Sequence, residues 1–259
     1  MDWRAWRTHF ETYARRPEPE VLEARLVPAR WREPLRNSLA KFQLGESGEG
    51  RIAHEIDRVQ LPSVDADYRA ALKRFVAEEG RHARVLAKLV LVLGGRLLHR
   101  NWTERLFVQA RRMLGVRLKL LVLLAAEVIG IGFYGMLAER LPEGALRRAL
   151  GEICGDERLH LAFHADFFRA QGTTPFLRRS FWSAWQCIGT AAALAVLIDH
   201  AGTLRTMDIP LWGAWRRLRA LVGLAAARFL VAPPCSVAGL AASKRRAEEP
   251  NGLSLGGSF

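Results

Sequence analysis

Two four-residue motifs constrain this chain more than any other feature: Glu79-Gly80-Arg81-His82 and Glu157-Arg158-Leu159-His160. Each sets a Glu and a His three residues apart in a stretch rich in helix formers. At 3.6 residues per turn the two side chains share one helix face, where they can grip the same ion. A second spacing ties each motif to an upstream acid. Glu49 precedes Glu79 by 30 residues, and Glu127 precedes Glu157 by 30. The midpoints, 64 and 142, fall beside Leu61-Pro62 and Leu141-Pro142, where proline breaks a helix. Residues equidistant from the turn of an antiparallel hairpin lie at the same height. Glu49 should therefore face Glu79, and Glu127 should face Glu157, in two halves that read as a degenerate internal repeat.

The punctuation of the chain supports that layout. Residues 1–33 form an N-terminal amphipathic segment with Trp3, Trp6, Phe10 and Tyr13 on one stripe, ended near Pro17 and Pro19. Docking of this stripe on the body is favoured over membrane contact. Residues 34–172 hold four helices. The first starts at Pro34 and runs through Leu39, Phe42, Glu46, Glu49, Ile52 and Ile56. The second, capped by Ser63 and Asp65, runs from about 64 to Leu93 and closes at Gly94-Gly95. The third spans about Val116 to Arg140, and the fourth about Glu143 to Ala170, with Gly172 ending it. A long basic connection, about 96–115, joins the halves, with Trp102 and Phe107 as its anchors. Residues 173–235 carry two apolar helices packed on the bundle, about 176–199 and 210–231, and residues 236–259 read as a disordered tail.

This is an all-α chain: a short hairpin, one long crossover and a second short hairpin, flanked by an N-terminal helix and C-terminal apolar helices. One long crossover is the connectivity of ferritin-like four-helix bundles. The apolar run from Cys187 to Ile198 is too short to span a bilayer, so core packing is favoured over an interfacial anchor. Cys154, Cys187 and Cys235 form no metal-binding or disulfide spacing, and Met1-Asp2-Trp3-Arg4 opens no signal peptide. Both suit the cytoplasm, with peripheral contact at the inner membrane compatible. The net charge of +13 attracts acidic partners, whether phospholipid, nucleic acid or an acidic carrier protein.

Carboxylates at one level of a dry bundle repel unless cations or protons balance them. Glu127 is the most telling, because it interrupts the run from Leu120 to Ile129. The matched spacing makes Glu49, Glu79, His82, Glu127, Glu157 and His160 the ligands of two divalent metals. Oxygen-plus-imidazole ligation suits iron or manganese. Glu46, one turn before Glu49, is the alternative first-helix ligand. Glu78 and Asp156 are positioned to accept a histidine N–H behind the ligands. His164, one turn after His160, reads as a polar neighbour more readily than as a third imidazole ligand. Cys154 lies one turn before Glu157, and Gly130, Gly132 and Gly135 serve either to open space or to admit a neighbouring helix.

At these residues the chain resembles the ferritin-like di-iron carboxylate proteins, a group that includes soluble acyl carrier protein desaturases, bacterial monooxygenases and the small subunit of ribonucleotide reductase. Glu78-Glu79-Gly80-Arg81-His82 is similar to the second-helix motif of soluble desaturases, and Asp156-Glu157 to their fourth-helix motif. The resemblance covers about residues 34–170 and implies the same six ligands. It also has departures. Leu86 stands where the reductase has its radical tyrosine, and Gly130-Ile131 where desaturases and monooxygenases often have a threonine.

The resemblance implies an oxygen-activating non-haem di-iron oxidoreductase, with two iron (or manganese) ions and dioxygen as co-substrate. Hydroxylation or desaturation of a hydrophobic, lipid-like or carrier-bound organic substrate is the expected chemistry. No Gly-x-Gly-x-x-Gly fingerprint occurs, so electrons are expected from a ferredoxin or reductase. The rival readings are a tRNA-modifying di-iron hydroxylase, a ferroxidase or dimanganese catalase that handles metal, and a bundle with a vestigial site. The greasy C-terminal helices disfavour nucleic acid, and a homodimer is compatible with the sequence.

Overall fold

Helix-forming composition, broken by proline, glycine and capping residues, divides the chain into ten helices among the described residues. These are α1 Trp3–Tyr13, α2 Ala29–Glu46, α3 Arg51–Ile56, α4 Ala66–Val92, α5 Trp102–Arg112, α6 Val116–Arg140, α7 Ala145–Ala170, α8 Pro175–Asp199, α9 Ala201–Thr206 and α10 Leu211–Leu230. The structure is a computed structural model that describes residues 1–19, 24–47, 51–112, 115–171 and 175–230.

Capping sets the ends. The Asp65 carboxylate accepts from the Tyr68 amide at 2.8 Å and starts α4. Ser63 takes no part in that cap. It sits at φ 60° in the turn, and its carbonyl accepts the Trp3 indole N–H at 2.8 Å. Gly94, at φ 74°, follows the other end of α4 in the left-handed conformation that glycine adopts at no steric cost. The first long helix differs from the sequence reading. It begins at Ala29, preceded by Pro28, so Pro34 lies inside it and not at its first turn. The helical residues once expected to follow Glu46 without a break form the separate α3. Glu49 lies outside the described residues, as do Gly172 and the tail from 236 onward.

Packing follows the two hairpins. α2 lies on α4, α6 lies on α7, and α4 meets α7 between the pairs. α1 packs on α4 through Trp3, Trp6, His9 and Phe10, all buried. The Trp6 indole donates to Asp166 of α7 at 2.9 Å, and its ring meets Phe163 at 5.6 Å between centroids. The aromatic stripe is thus spent on docking. α6 is apolar on every side and buried on every side, because α7, α8 and α10 enclose it. Gly132 admits α10: a Cβ there would lie 2.5 Å from Leu218 Cδ2.

α6 and the Arg179–Asp199 part of α8 are both long and apolar enough to cross a membrane by length and composition. They differ in burial. The apolar window of α6 is 89% buried inside the protein, whereas that of α8 is 33% buried. Core packing therefore accounts for one face of the Cys187–Ile198 run and leaves the other exposed.

Trp6→Ala removes a buried ring and orphans a buried acceptor on Asp166. It should cost about 3–5 kcal/mol in urea denaturation, and a loss below about 1 kcal/mol would show that α1 is not integral to the core.

Candidate metal centre

Helical periodicity turns Glu78, Glu79, Arg81 and His82 of α4 inward, and Asp156, Glu157, His160 and His164 of α7 inward opposite them. α6 adds Glu127, 8% exposed at the middle of its apolar run, and α2 adds Glu46 from its last turn. The first motif and the second then interlock. His82 Nδ1 lies 3.1 Å from Glu157 Oε1, on the other motif. His160 Nδ1 lies 2.7 Å from Glu79 Oε1 and 3.3 Å from its own Glu157 Oε2.

The outer ring nitrogens cross over in the same way. His82 Nε2 lies 3.2 Å from Asp156, and His160 Nε2 lies 3.2 Å from Glu78. One guanidinium spans both acceptors, Arg16 Nη2 donating to Glu78 at 2.8 Å and to Asp156 at 2.7 Å. Arg81, buried within the first motif, donates to Asp156 and Glu152, each at 3.4 Å. Anchoring of Nε2 by a carboxylate fixes the ring so that Nδ1 faces the other acids, as in the carboxylate–histidine–metal arrangement.

The inner atoms lack conventional partners. Glu79 Oε1, His82 Nδ1, Glu127 Oε2 and both His164 ring nitrogens are buried without a hydrogen bond. The 2.7 Å approach of His160 Nδ1 to Glu79 Oε1 is close, but it does not satisfy Glu79 as a hydrogen bond. Buried polar atoms are ordinarily satisfied, and a cluster of inner donor atoms without partners is one that could hold a cation. Glu79, His82, Glu157 and His160 each offer a donor atom, all within 4.8 Å of one another. An all-oxygen and imidazole donor set of this kind fits iron or manganese.

The electrostatics agree. Burial, then the charge of Glu157, pushes the Glu79 carboxyl up to about 7. Burial raises Glu127 well above the carboxylate range, with Glu157 adding to it. Burial and the charges of Glu79 and Glu157 do the same to Glu46. Burial opposes ionisation of Glu157 too, but the bond from His160 and the charge of the nearby His82 hold it down, at about 2. Burial works against a charged His82, yet its bond to Asp156 and the charge of Glu157 raise it well above the usual imidazole value. A site that shares protons in this way offers those places to cations.

Of the residues singled out in the sequence, Glu79, His82, Glu127, Glu157 and His160 come together. Glu46 joins them, while Glu49 is outside the described residues. Glu78 and Asp156 sit behind the histidines. His164 is fully buried, with Nε2 3.1 Å from Glu127 Oε1, and burial, then the charge of His160, lowers it to about 3. The Cys154 thiol is pushed up to about 12 by burial and reaches the Ile131 carbonyl at 3.7 Å, so it is no nucleophile. Arg16 and Tyr134 escaped the sequence reading. Tyr134, fully buried, donates to Glu46 Oε1 at 3.0 Å from within the run that carries Glu127.

On the side of Glu46, Glu127 and Glu157 opens a cavity of about 110 Å³. Phe42, Val122, Leu123, Ala126, Ile129, Gly130 and Val196 give it an apolar wall, and Lys41, Thr103, Glu104 and His200 lie around it. Gly130 therefore opens space, while Gly132 serves packing. The opposite side is closed by Phe75, whose ring lies 4.8 Å from His160 and 4.9 Å from His164.

The chain matches no known protein family, curated protein or solved structure. Its own geometry carries the functional argument.

Arg16→Ala frees Glu78 and Asp156 from their shared cation and loosens both histidines. Manganese affinity measured by calorimetry should fall 10- to 100-fold, with the helical content unchanged; an unaltered affinity would show that Arg16 serves only the docking of α1.

Proposed function

We propose that the chain is an oxygen-activating non-haem di-iron oxidoreductase of the ferritin-like kind, acting on a hydrophobic organic substrate. The observation that carries this reading is the crossed pair of Glu-x-x-His motifs. Each histidine presents Nδ1 to the acids of both motifs and is anchored at Nε2 by the acid that precedes the other motif's glutamate. α2, α4, α6 and α7 serve as the four bundle helices, with α5 on the crossover.

When bound, the two iron ions would supply the oxidising power for hydroxylation or desaturation by dioxygen. Glu79, His82, Glu157 and His160 would hold the ions. Glu127 and Glu46 would complete the set on the cavity side. Arg16 holds Glu78 and Asp156, and Arg81 holds Asp156, in place behind the imidazoles so that both rings stay oriented. Tyr134 holds a proton at its hydroxyl, on the oxygen of Glu46. The apolar wall receives a lipid-like or acyl substrate and excludes water from the acids. Electrons would come from a separate ferredoxin or reductase.

The reading of a metal-handling protein, a ferroxidase or dimanganese catalase, shares the same acids. The apolar cavity beside them favours an organic substrate. The net charge of +13 keeps the tRNA-modifying hydroxylase as a second enzyme reading, which salt-sensitive tRNA binding would reveal.

Anaerobic loading with ferrous iron should give about two ions per chain, and admission of oxygen should then change the near-ultraviolet absorption. Glu127→Ala should lower iron binding at least about tenfold. Binding of less than about one ion, or an unchanged affinity in Glu127→Ala, contradicts the proposal.

A further inference from the structure

We infer that the face formed by α5, the segment before it and the exposed side of α8 docks on an anionic lipid bilayer, with the mouth of the cavity turned towards the lipid. The inference rests on the proposed function only for what enters the cavity.

The first observation is the uncovered side of α8. No charged residue occurs from Phe181 through Ile198, yet that helix is mostly unburied. Leu194 is 47% exposed and Ile198 68%, one turn apart on that side. The inner side is fixed to the protein. Trp185 is fully buried and donates to the Val222 carbonyl at 2.8 Å, and a Cβ on Gly189 would lie 2.6 Å from Val222 Cγ1. A helix held along one side can lie in an interface and cannot cross it.

The second observation is the composition of the crossover. Exposed Arg96, Arg100 and Arg105 alternate with exposed Leu97, Trp102 and Leu106. Between residues 96 and 119 seven basic residues stand against one acid, Glu104. Apolar side chains interleaved with arginine are the makeup of a surface that enters the headgroup layer. The Trp102 indole donates to Asp199 Oδ1 at 3.0 Å and Thr103 donates to Asp199 Oδ2 at 2.9 Å, which joins the crossover to the end of α8 beside Ile198.

The third observation is position. Thr103 and Glu104 of α5 and Val196 of α8 also line the cavity that reaches Glu46, Glu127 and Glu157. The exposed apolar rows therefore stand on the same two helices that line part of the cavity, on their outer sides. Charge chooses the occupant. A second copy would set these arginines against like charges on a chain of net charge +13, whereas anionic headgroups complement them. A substrate dissolved in the bilayer then reaches the cavity without crossing water.

Flotation of the full-length chain with phosphatidylcholine vesicles, with and without phosphatidylglycerol, tests this. The chain should float with the anionic vesicles and bind them about tenfold or more tightly than neutral ones, an advantage that high salt removes. Ile198→Glu and Arg105→Glu, both at exposed positions, should each weaken that binding about tenfold while the thermal melt stays in place. No flotation, or unchanged flotation of both variants, overturns the inference. So does a dimer in solution that Ile198→Glu dissociates, since a second copy would then cover the face. Iron content measured on the same samples separates the claims: retained iron without vesicle binding overturns the docking alone, and vesicle binding without iron overturns the metal reading alone.

Discussion

Burial of several carboxylates at one level of a helical protein is the constraint on which the rest of this structure depends. Each ionised acid taken out of water costs several kcal/mol unless it is paired. Glu46, Glu79, Glu127 and Glu157 meet where the surrounding helices are otherwise packed with Leu, Val, Ala and Phe. Three imidazoles stand among them, those of His82, His160 and His164, and the guanidinium groups of Arg16 and Arg81 lie behind the first two, on Glu78 and Asp156. That placement keeps the guanidinium groups away from the inner donor atoms, which could then hold a cation. It also gives α1 a purpose beyond filling space. Trp3, Trp6 and Phe10 seat the helix, and the chain leaving it delivers Arg16 across both acids.

Much of this was legible in the sequence, and the parts that were not have physical reasons. The ends of α6 and the Glu-x-x-His faces of α4 and α7 follow from periodicity and from Gly and Pro at the breaks. The final turn of α2 brings Glu46 to Glu79, while Glu49, which the equal spacing favours, lies outside the described residues. Arg16 carried no local signal, because its partners lie 62 and 140 residues away. Tyr134 was hidden in an apolar run, where a phenol reads as one more core ring. Trp102 was expected as an anchor and is one only at its nitrogen, since the ring is half exposed.

The site is also asymmetric in a way that repeat symmetry does not anticipate. One side is sealed by Phe75 against His160 and His164, and beyond it by Phe163 and α1. The other side opens through Gly130 and Val196 towards the crossover and α8. The two halves supply equivalent donor groups, but the described cavity opens on one face of them. The helices added after the second hairpin therefore shape access: α10 packs into α6 at Gly132, and α8 leaves a wall of the cavity on its inner side and an apolar surface on its outer side.

The central claim is that the crossed motifs hold two metal ions within one cluster of acids. Anomalous diffraction from crystals grown with manganese or iron tests it most directly. The account predicts two peaks about 3.5–4 Å apart, one beside His82 Nδ1 and the other beside His160 Nδ1. A single peak, peaks away from these residues, or no peak in crystals soaked at saturating metal would contradict it.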